Sequence, residues 1–199
     1  MNAEFDLPFP HYRCPTCGKD LPSGEARMTV TCGHHTDRVD ADHQVRVATA
    51  ADRSAIETIC DRAMGETEVD AFGRTFDVLS GINLIAEVDG DFAGLLSMAV
   101  YEGEATVVFL SVYPEHQGTG AGAALLEAAH ELACDRGLGF IRVAVTNDDI
   151  PLLYFFQRHG FAIYETAVGY AADRFGSATP GFSGIPVRDE IRLRRSTCA

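Results

Sequence analysis

The chain has 199 residues, 46% of them hydrophobic, and a formal net charge of −13. That apolar content suffices for one sizeable core and a small appendage, while the acidic balance disfavours nucleic acid and anionic membranes, both of which attract basic surfaces. With no long apolar run and no N-terminal charged-then-apolar segment, neither a membrane span nor a signal peptide is expected, and the chain reads as cytoplasmic.

Residues 1–10 read as a flexible polar tail, and residues 11–36 as a small metal-shaped module. Cys14-Pro-Thr-Cys17-Gly places two thiolates on one tight turn, and Cys32-Gly-His34-His35 follows after a spacing suited to a zinc ribbon or knuckle. The expected ligands are Cys14, Cys17, Cys32 and His34, with His35 the alternative to His34. So few large apolar residues lie here that the metal would supply the folding energy, and a closed four-ligand site of this kind is structural rather than catalytic. Residues 37–43, rich in aspartate, form a linker. Of the remaining cysteines, Cys60 and Cys134 fall on apolar helix faces as buried free thiols, and Cys198 sits in a frayed tail.

Residues 44–195 make the larger domain. A short strand over 44–49 leads to Thr49, an N-cap for a helix over 50–64 whose inner face is Ile56, Ile59, Cys60 and Ala63. Residues 65–82, around Phe72 and Phe76, read as a loop or short helix. Strands over 84–88 and 92–101 are joined by Asp89-Gly90-Asp91, a hairpin turn. A strand over 105–112, a helix over 121–136 ending at Gly137, and a nearly all-apolar strand over 140–145 follow. A helix over 150–158 stops at Gly160, a strand returns over 161–168, and the irregular stretch 171–187 precedes a last strand over 188–193.

The segment Val107-Val-Phe-Leu-Ser-Val-Tyr-Pro-Glu-His-Gln117-Gly-Thr-Gly-Ala-Gly122 carries the chemistry. A strand runs into a proline, then into a glycine-rich turn that opens a helix. A helix starting on glycines presents unpaired N–H groups and the positive end of its dipole, which together cradle phosphate. A P-loop would need a lysine and a hydroxyl residue after the last glycine, where Ala123-Ala124 stand. Gly118-x-Gly120-x-x-Ala123 fits the dinucleotide fingerprint only as a bare pattern, because that fingerprint ends the first strand of its unit and has an acidic residue about 20 positions on.

The order strand, link, Gln117-x-x-Gly120-x-Gly122 and helix resembles the GNAT superfamily of acyl-CoA-dependent N-acyltransferases. The resemblance implies an α+β fold, a mixed central β-sheet flanked by helices, here preceded by the zinc-ribbon-like module. It implies that the strand before the glycines splays from its neighbour, so that Leu110, Ser111 and Val112 pair with the pantetheine arm of acetyl-CoA. Gln117, Gly118, Thr119, Gly120, Ala121, Gly122 and Ala123 would then hold the pyrophosphate. The stretch from Asn147 to Gly160-Phe161 is similar to the family's second signature, an asparagine followed by a helix ending Tyr-x-x-x-Gly-Phe. Counted back from Gly160 the tyrosine position holds Phe156 and the asparagine position Asp149. Counted forward from Asn147, the tyrosine is Tyr154, the candidate acid for the departing thiolate. Asn147, Asp149 and Phe156 join the expected cofactor contacts.

By that resemblance the chain moves an acetyl group from acetyl-CoA to an amine, small-molecule or protein, by direct attack. No general base announces itself; Glu104, His116 and Asp149 are candidates. A homodimer and a protein partner for the zinc module are compatible with this assignment. The alternative is a CoA-binding regulatory protein without turnover, supported by Phe156 in place of a hydroxyl.

Overall fold

The computed structural model describes residues 12–13, 20–21, 43–176 and 179–198. Its main element is a seven-stranded sheet in the order β10-β11-β9-β8-β7-β6-β3. The strands are β3 (His43–Val47), β6 (Ile82–Val88), β7 (Asp91–Tyr101), β8 (Glu104–Val112), β9 (Phe140–Thr146), β10 (Ala162–Ala167) and β11 (Glu190–Ser196). Every neighbouring pair is antiparallel except β8 and β9. The helix α2 (Ala121–Asp135) is the crossover between those two parallel strands.

Both faces of the central strands are buried, which explains the near-continuous apolar runs of β6, β7 and β8. On one face α2 packs Leu125, Leu126, Ala129 and Ala133 against Leu96, Met98, Val107 and Val143; α3 (Ile150–Arg158) adds Phe156. On the other face α1 (Arg53–Met64) packs Ile56, Ile59 and Cys60 against Ile85, Leu95 and Phe109. Burial pushes the Cys60 thiol up to about 11, so it stays protonated and inert there. Thr49 caps a 3₁₀ turn, Ala50–Asp52, that precedes α1: the Asp52 carboxylate accepts from the Thr49 amide at 2.7 Å and the Thr49 hydroxyl at 2.9 Å.

The stretch 65–82 departs from its expectation of loop or short helix. It holds a β-hairpin, β4 (Glu68–Ala71) and β5 (Arg74–Asp77), followed by a 3₁₀ turn over Val78–Ser80. Its tip, Phe72-Gly73, has φ of 54° and 78°, the same left-handed pair as Asp89-Gly90 and Glu102-Gly103 at the other two tight hairpins. Phenylalanine is rarely tolerated there. Ring contacts hold it: Phe72 lies 4.5 Å from the Arg142 guanidinium and 5.3 Å from that of Arg192.

The last strand also runs later than expected, at Glu190–Ser196 instead of 188–193. Arg188 and Asp189 are held off the ladder because their amides donate to the Asn147 side chain at 2.7 and 2.8 Å. Within the stretch expected to be irregular, Tyr170–Phe175 forms one short helix, α4. The cysteine expectations need correction too. Cys134, on the last turn of α2, is not a free thiol but pairs with Cys198 in a disulfide, Cα atoms 5.5 Å apart. Cys198 is therefore tied down rather than frayed, and Thr197 donates its amide to Gly139.

The metal candidates Cys14, Cys17, Cys32, His34 and His35 lie outside the described residues. What is described there is an antiparallel pairing of β1 (Tyr12–Arg13) with β2 (Asp20–Leu21), which brackets residues 14–19. Among the described residues no helix is long and apolar enough to cross a membrane.

Gly94 on β7 is a close-approach position. A Cβ built there would lie 2.7 Å from the Ser111 carbonyl oxygen on β8. Gly94→Ala is expected to push β8 outward and to destabilise the fold by about 1–3 kcal/mol; an unchanged denaturation midpoint in urea would refute that packing argument.

Candidate active site

The site is built where β8 leaves β9. The two pair only at Ala105↔Ile141, Thr106↔Arg142 and Val107↔Val143. Immediately beyond, Val108 is the extra residue of a bulge, since Ser97 faces Phe109 and Met98 faces Val107. A bulge bends its strand and increases the local twist, so β8 turns away and a gap opens. The face parity of β8 flips as well. Ala105 and Val107 point to the α2 side, Val108 and Phe109 to the α1 side, then Leu110 and Val112 to the α2 side again.

Beyond the bulge, β8 keeps its β7 neighbour but has lost β9. The Tyr113 amide donates to Ala93 at 2.9 Å, and backbone direction alternates along a strand. The N–H and C=O groups of Leu110 and Val112 therefore face the gap, and those of Ser111 face β7. The Val112 carbonyl is met there by the Gln117 side-chain amide at 3.1 Å. An extended chain laid in the gap would find on β8 the hydrogen-bonding edge that β9 has vacated.

A 3₁₀ turn over Pro114–His116 then leads into the glycines. Gly118 (φ 79°) and Gly120 (φ 100°) adopt left-handed backbone, which a side chain would strain. Thr119, 5% exposed, is locked between them by donating its hydroxyl to the His116 carbonyl at 2.7 Å. The Ala121 amide reaches the Thr119 hydroxyl at 3.4 Å, and Ala124 is the first helical residue whose amide finds a backbone carbonyl, that of Gly120. The amides of Gly122 and Ala123 meet no acceptor among the described residues. The positive end of α2 thus opens directly above the gap.

The second group of expected residues is arranged differently. Asn147 uses its carboxamide to hold the segment before β11: Oδ1 accepts from Arg188 and Asp189, and Nδ2 donates to the Pro186 carbonyl at 3.1 Å. Asp149 is the N-cap of α3, accepting from the Leu152 amide at 3.0 Å, and burial raises its pKa above the usual carboxylate range. Tyr154 is 39% exposed, and its hydroxyl accepts from Arg158 one turn on at 3.0 Å. Phe156 is 1% exposed, edge-to-face with Phe155 and Phe161 in the core. The α3 ring that turns toward the glycines is Phe155, 3.7 Å from where a Cβ of Gly122 would stand. Sequence reasoning passed it over because the two-residue ambiguity in counting the helix hid which ring faces α2.

Sequence reasoning also missed the polar floor on the α1 side. There β9 presents Arg142, and β11 presents Glu190, 3% exposed, whose carboxylate accepts from the Phe72 amide at 3.2 Å and from Arg192 at 2.7 Å. Glu104 lies in the same floor, 3.1 Å from Arg142. The signal was there as alternating charge in Glu190-Ile-Arg192-Leu-Arg194, but which face it lined depended on the partner strand. Among the described residues no cluster of His, Cys, Asp and Glu is placed to hold a metal.

These features agree with comparisons to known proteins. The family model described as the acetyltransferase (GNAT) family matches residues 53–161. Streptothricin acetyltransferase of Streptomyces lavendulae is 35% identical over 104 residues, covering 51% of this chain and 50% of that protein, so the match spans about half the length of that relative. Among solved structures, an IAA acetyltransferase from Bacillus cereus ATCC 14579 superposes with a TM-score of 0.62 at 20% identity, over 78% of this chain and 99% of that one. A Bacillus subtilis acetyltransferase in complex with CoA gives a TM-score of 0.59 at 19% identity, over 80% of this chain and 100% of the other. At such identities the structural likeness bears on the fold alone: a mixed sheet flanked by helices. The chain belongs to the GNAT acetyltransferase family.

Proposed function

We propose that this chain is an acetyl-CoA-dependent N-acetyltransferase acting on a primary amine by direct attack. The observation that carries the proposal is the bulge-made gap between β8 and β9, with unpaired strand edge on one wall and open helix amides at its mouth. Leu110, Ser111 and Val112 would flank the pantetheine arm, its amides pairing with the Leu110 and Val112 edge. Gln117 to Ala123 would receive the pyrophosphate on the backbone. Asn147, Asp149 and Phe156 belong to the wall behind: Asn147 and Asp149 shape the end of β9 and the start of α3, and Phe156 supports the ring of Phe155.

Bound acetyl-CoA supplies an activated acyl carbon as a thioester. A backbone N–H on the β8 edge polarises the carbonyl. The neutral amine enters from the α1 side, its nitrogen bonds to that carbon, and the C–S bond breaks with its electron pair on sulfur. The surplus proton of the amine passes to solvent. A thiol with a pKa near 8.5 can depart as thiolate at neutral pH without an acid, which suits a helix carrying Phe156. The acid role assigned to Tyr154 requires a loss of about 10²-fold or more in kcat for Tyr154→Phe. Because the hydroxyl already engages Arg158 on an exposed turn, the expected loss is below about tenfold, and steady-state kinetics decides between the two.

Structural zinc on Cys14, Cys17, Cys32 and His34 or His35 completes the proposal. Its support is the ligand spacing and the β1–β2 pairing that brackets residues 14–19. Elemental analysis is expected to find a single zinc per chain, lost in Cys14→Ser; a zinc-free preparation that folds and binds CoA normally would discard the metal.

The alternative, a CoA-binding regulator without turnover, rests on Phe156 and the missing base. Calorimetry with CoA and a thiol-release assay on a panel of amines separate the two. Gly120→Ala, which puts a side chain on a left-handed position, is expected to weaken CoA binding roughly tenfold. Full CoA affinity in that variant would refute the phosphate-cradle assignment, and binding without transfer to any amine would favour the regulator.

A further inference from the structure

The hairpin β4–β5 crosses above the point where β8 and β9 part. Ala71 and Phe76 pack with Val108 and Phe109 of β8, while the tip residue Phe72 lies over Arg142 of β9 and Arg192 of β11. A second tie joins the hairpin to α4, where Arg174 meets Asp70 at 2.6 Å. The amine side of the gap is thus roofed at its inner end, and a proton shed there meets protein before it meets bulk water.

One carboxylate of the floor is level with the open edge. The last β8–β9 pair is Val107↔Val143. Thr146 lies three residues further along β9, and on β8 the same advance, with the extra bulge residue added, reaches Ser111, between Leu110 and Val112. Glu190 is the direct cross-strand partner of Thr146 and shares its α1-side face. It therefore stands one strand behind the gap wall, about 5 Å from β9 and roughly 7 Å from the middle of the gap. One water, or the Thr146 hydroxyl, spans such a distance with two hydrogen bonds. Neighbouring carboxylates are placed or engaged otherwise. Glu102 and Glu104 come before the last β8–β9 pair. Asp70 is engaged by Arg174 and Thr75, Asp189 by Arg188 and the Gly169 amide, Asp148 by the Phe182 amide, and Asp149 caps α3.

Glu190 also has the capacity to take a proton. It is 3% exposed, and of the about four lone-pair sites on its carboxylate the Phe72 amide uses one at 3.2 Å and Arg192 Nε another at 2.7 Å. Arg192 divides its charge between Glu190 and Glu165, the latter at 2.9 Å, while Arg142 is engaged by Thr106, Glu102 and Glu104. The group Glu190, Arg192 and Glu165 thus keeps one net negative charge on the amine side.

We propose that Glu190 is the proton acceptor of the transfer step. The inference rests on the acetyltransfer proposed above and places a base where that reading sends the proton to solvent. As the amine nitrogen bonds to the acyl carbon and the C–S bond breaks with its pair on sulfur, the nitrogen gains positive charge and sheds a proton. That proton crosses one water or hydroxyl to the Glu190 carboxylate and leaves for solvent before the next turnover. The Phe72 amide and Arg192 hold the carboxylate in place for it.

The test is kcat against pH, by thiol release at saturating acetyl-CoA, with ethanolamine, lysine and spermidine as acceptors and CoA affinity measured by calorimetry on every variant. Wild-type kcat is expected to fall on the acid side through one ionisation, as a base in the bound complex requires. Glu190→Gln is expected to lower kcat about 10²-fold at neutral pH, to remove that fall and to leave CoA affinity intact. Glu190→Asp, which keeps the carboxylate, is expected to keep the fall at a lower rate. A wild-type profile without an acid limb would overturn the proposal even if the Gln variant does not fold. So would a folded Glu190→Gln protein with undiminished kcat, one whose loss lies in KM alone, or one that retains the acid limb. Transfer to none of these amines despite intact CoA binding would also overturn it and leave the CoA site standing. Failure to bind CoA would bring down the acetyltransfer reading itself, and this assignment with it.

Discussion

One extra residue in one strand governs the molecule. Val108 has no partner of its own on β7, and the bulge it creates ends the only parallel pairing in the sheet after Val107↔Val143. A sheet interior normally leaves no backbone group unpaired, because an orphaned N–H or C=O is costly to bury. Here the edge at Leu110 and Val112 is left open at the center of the sheet. Among the described residues, half-buried side chains and the Gln117 amide stand in for the missing strand there. The same bulge turns Val108 and Phe109 toward α1 and Val112 toward α2, so it assigns the two cores as well as the gap.

The two arms of the gap are held apart by separate devices. β8 is set against β7 by the absence of a side chain at Gly94, which lets the Ser111 carbonyl come close. β9 is backed along its whole length by β11, from Glu190↔Thr146 to Ser196↔Phe140. Asn147 clamps the approach to β11 through two backbone amides, and the Cys134–Cys198 disulfide ties the end of the strand to the last turn of α2. The helix whose first turn faces the gap is thereby fixed at its far end to the strand that carries Arg192 and Arg194. The start of α2 at the gap and the charged floor of β11 thus share one framework.

Much of this could be read before any coordinates. The glycine turn is legible because only glycine accepts φ near 79° and 100° at Gly118 and Gly120 without strain, and a helix opening on such a turn has few uses besides binding an anion. The near-continuous apolar runs of β6 to β9 and the amphipathic spacing of α1 and α2 located the layers for the same local reason. The hairpin tip was not legible. A left-handed phenylalanine at position 72 is disfavoured by its own backbone and is held by Arg142 and Arg192, which are 70 and 120 positions away in the chain. The Cys134 pairing escaped for a similar reason, since a helical apolar position looks the same whether its thiol is free or meets a tail 64 residues later.

Local chemistry in the chain was therefore enough to indicate the family, the glycine turn that opens α2 and most of the order of strands and helices, because these depend on residues within a few positions of each other. Folding decided which side chain of α3 faces the gap, which charges of β8, β9 and β11 share a floor, and that Arg194 meets two aromatic rings and no carboxylate among the described residues. Those outcomes depend on strand register, and a shift of one residue sends every side chain to the opposite face. No pattern confined to a single segment carries that information.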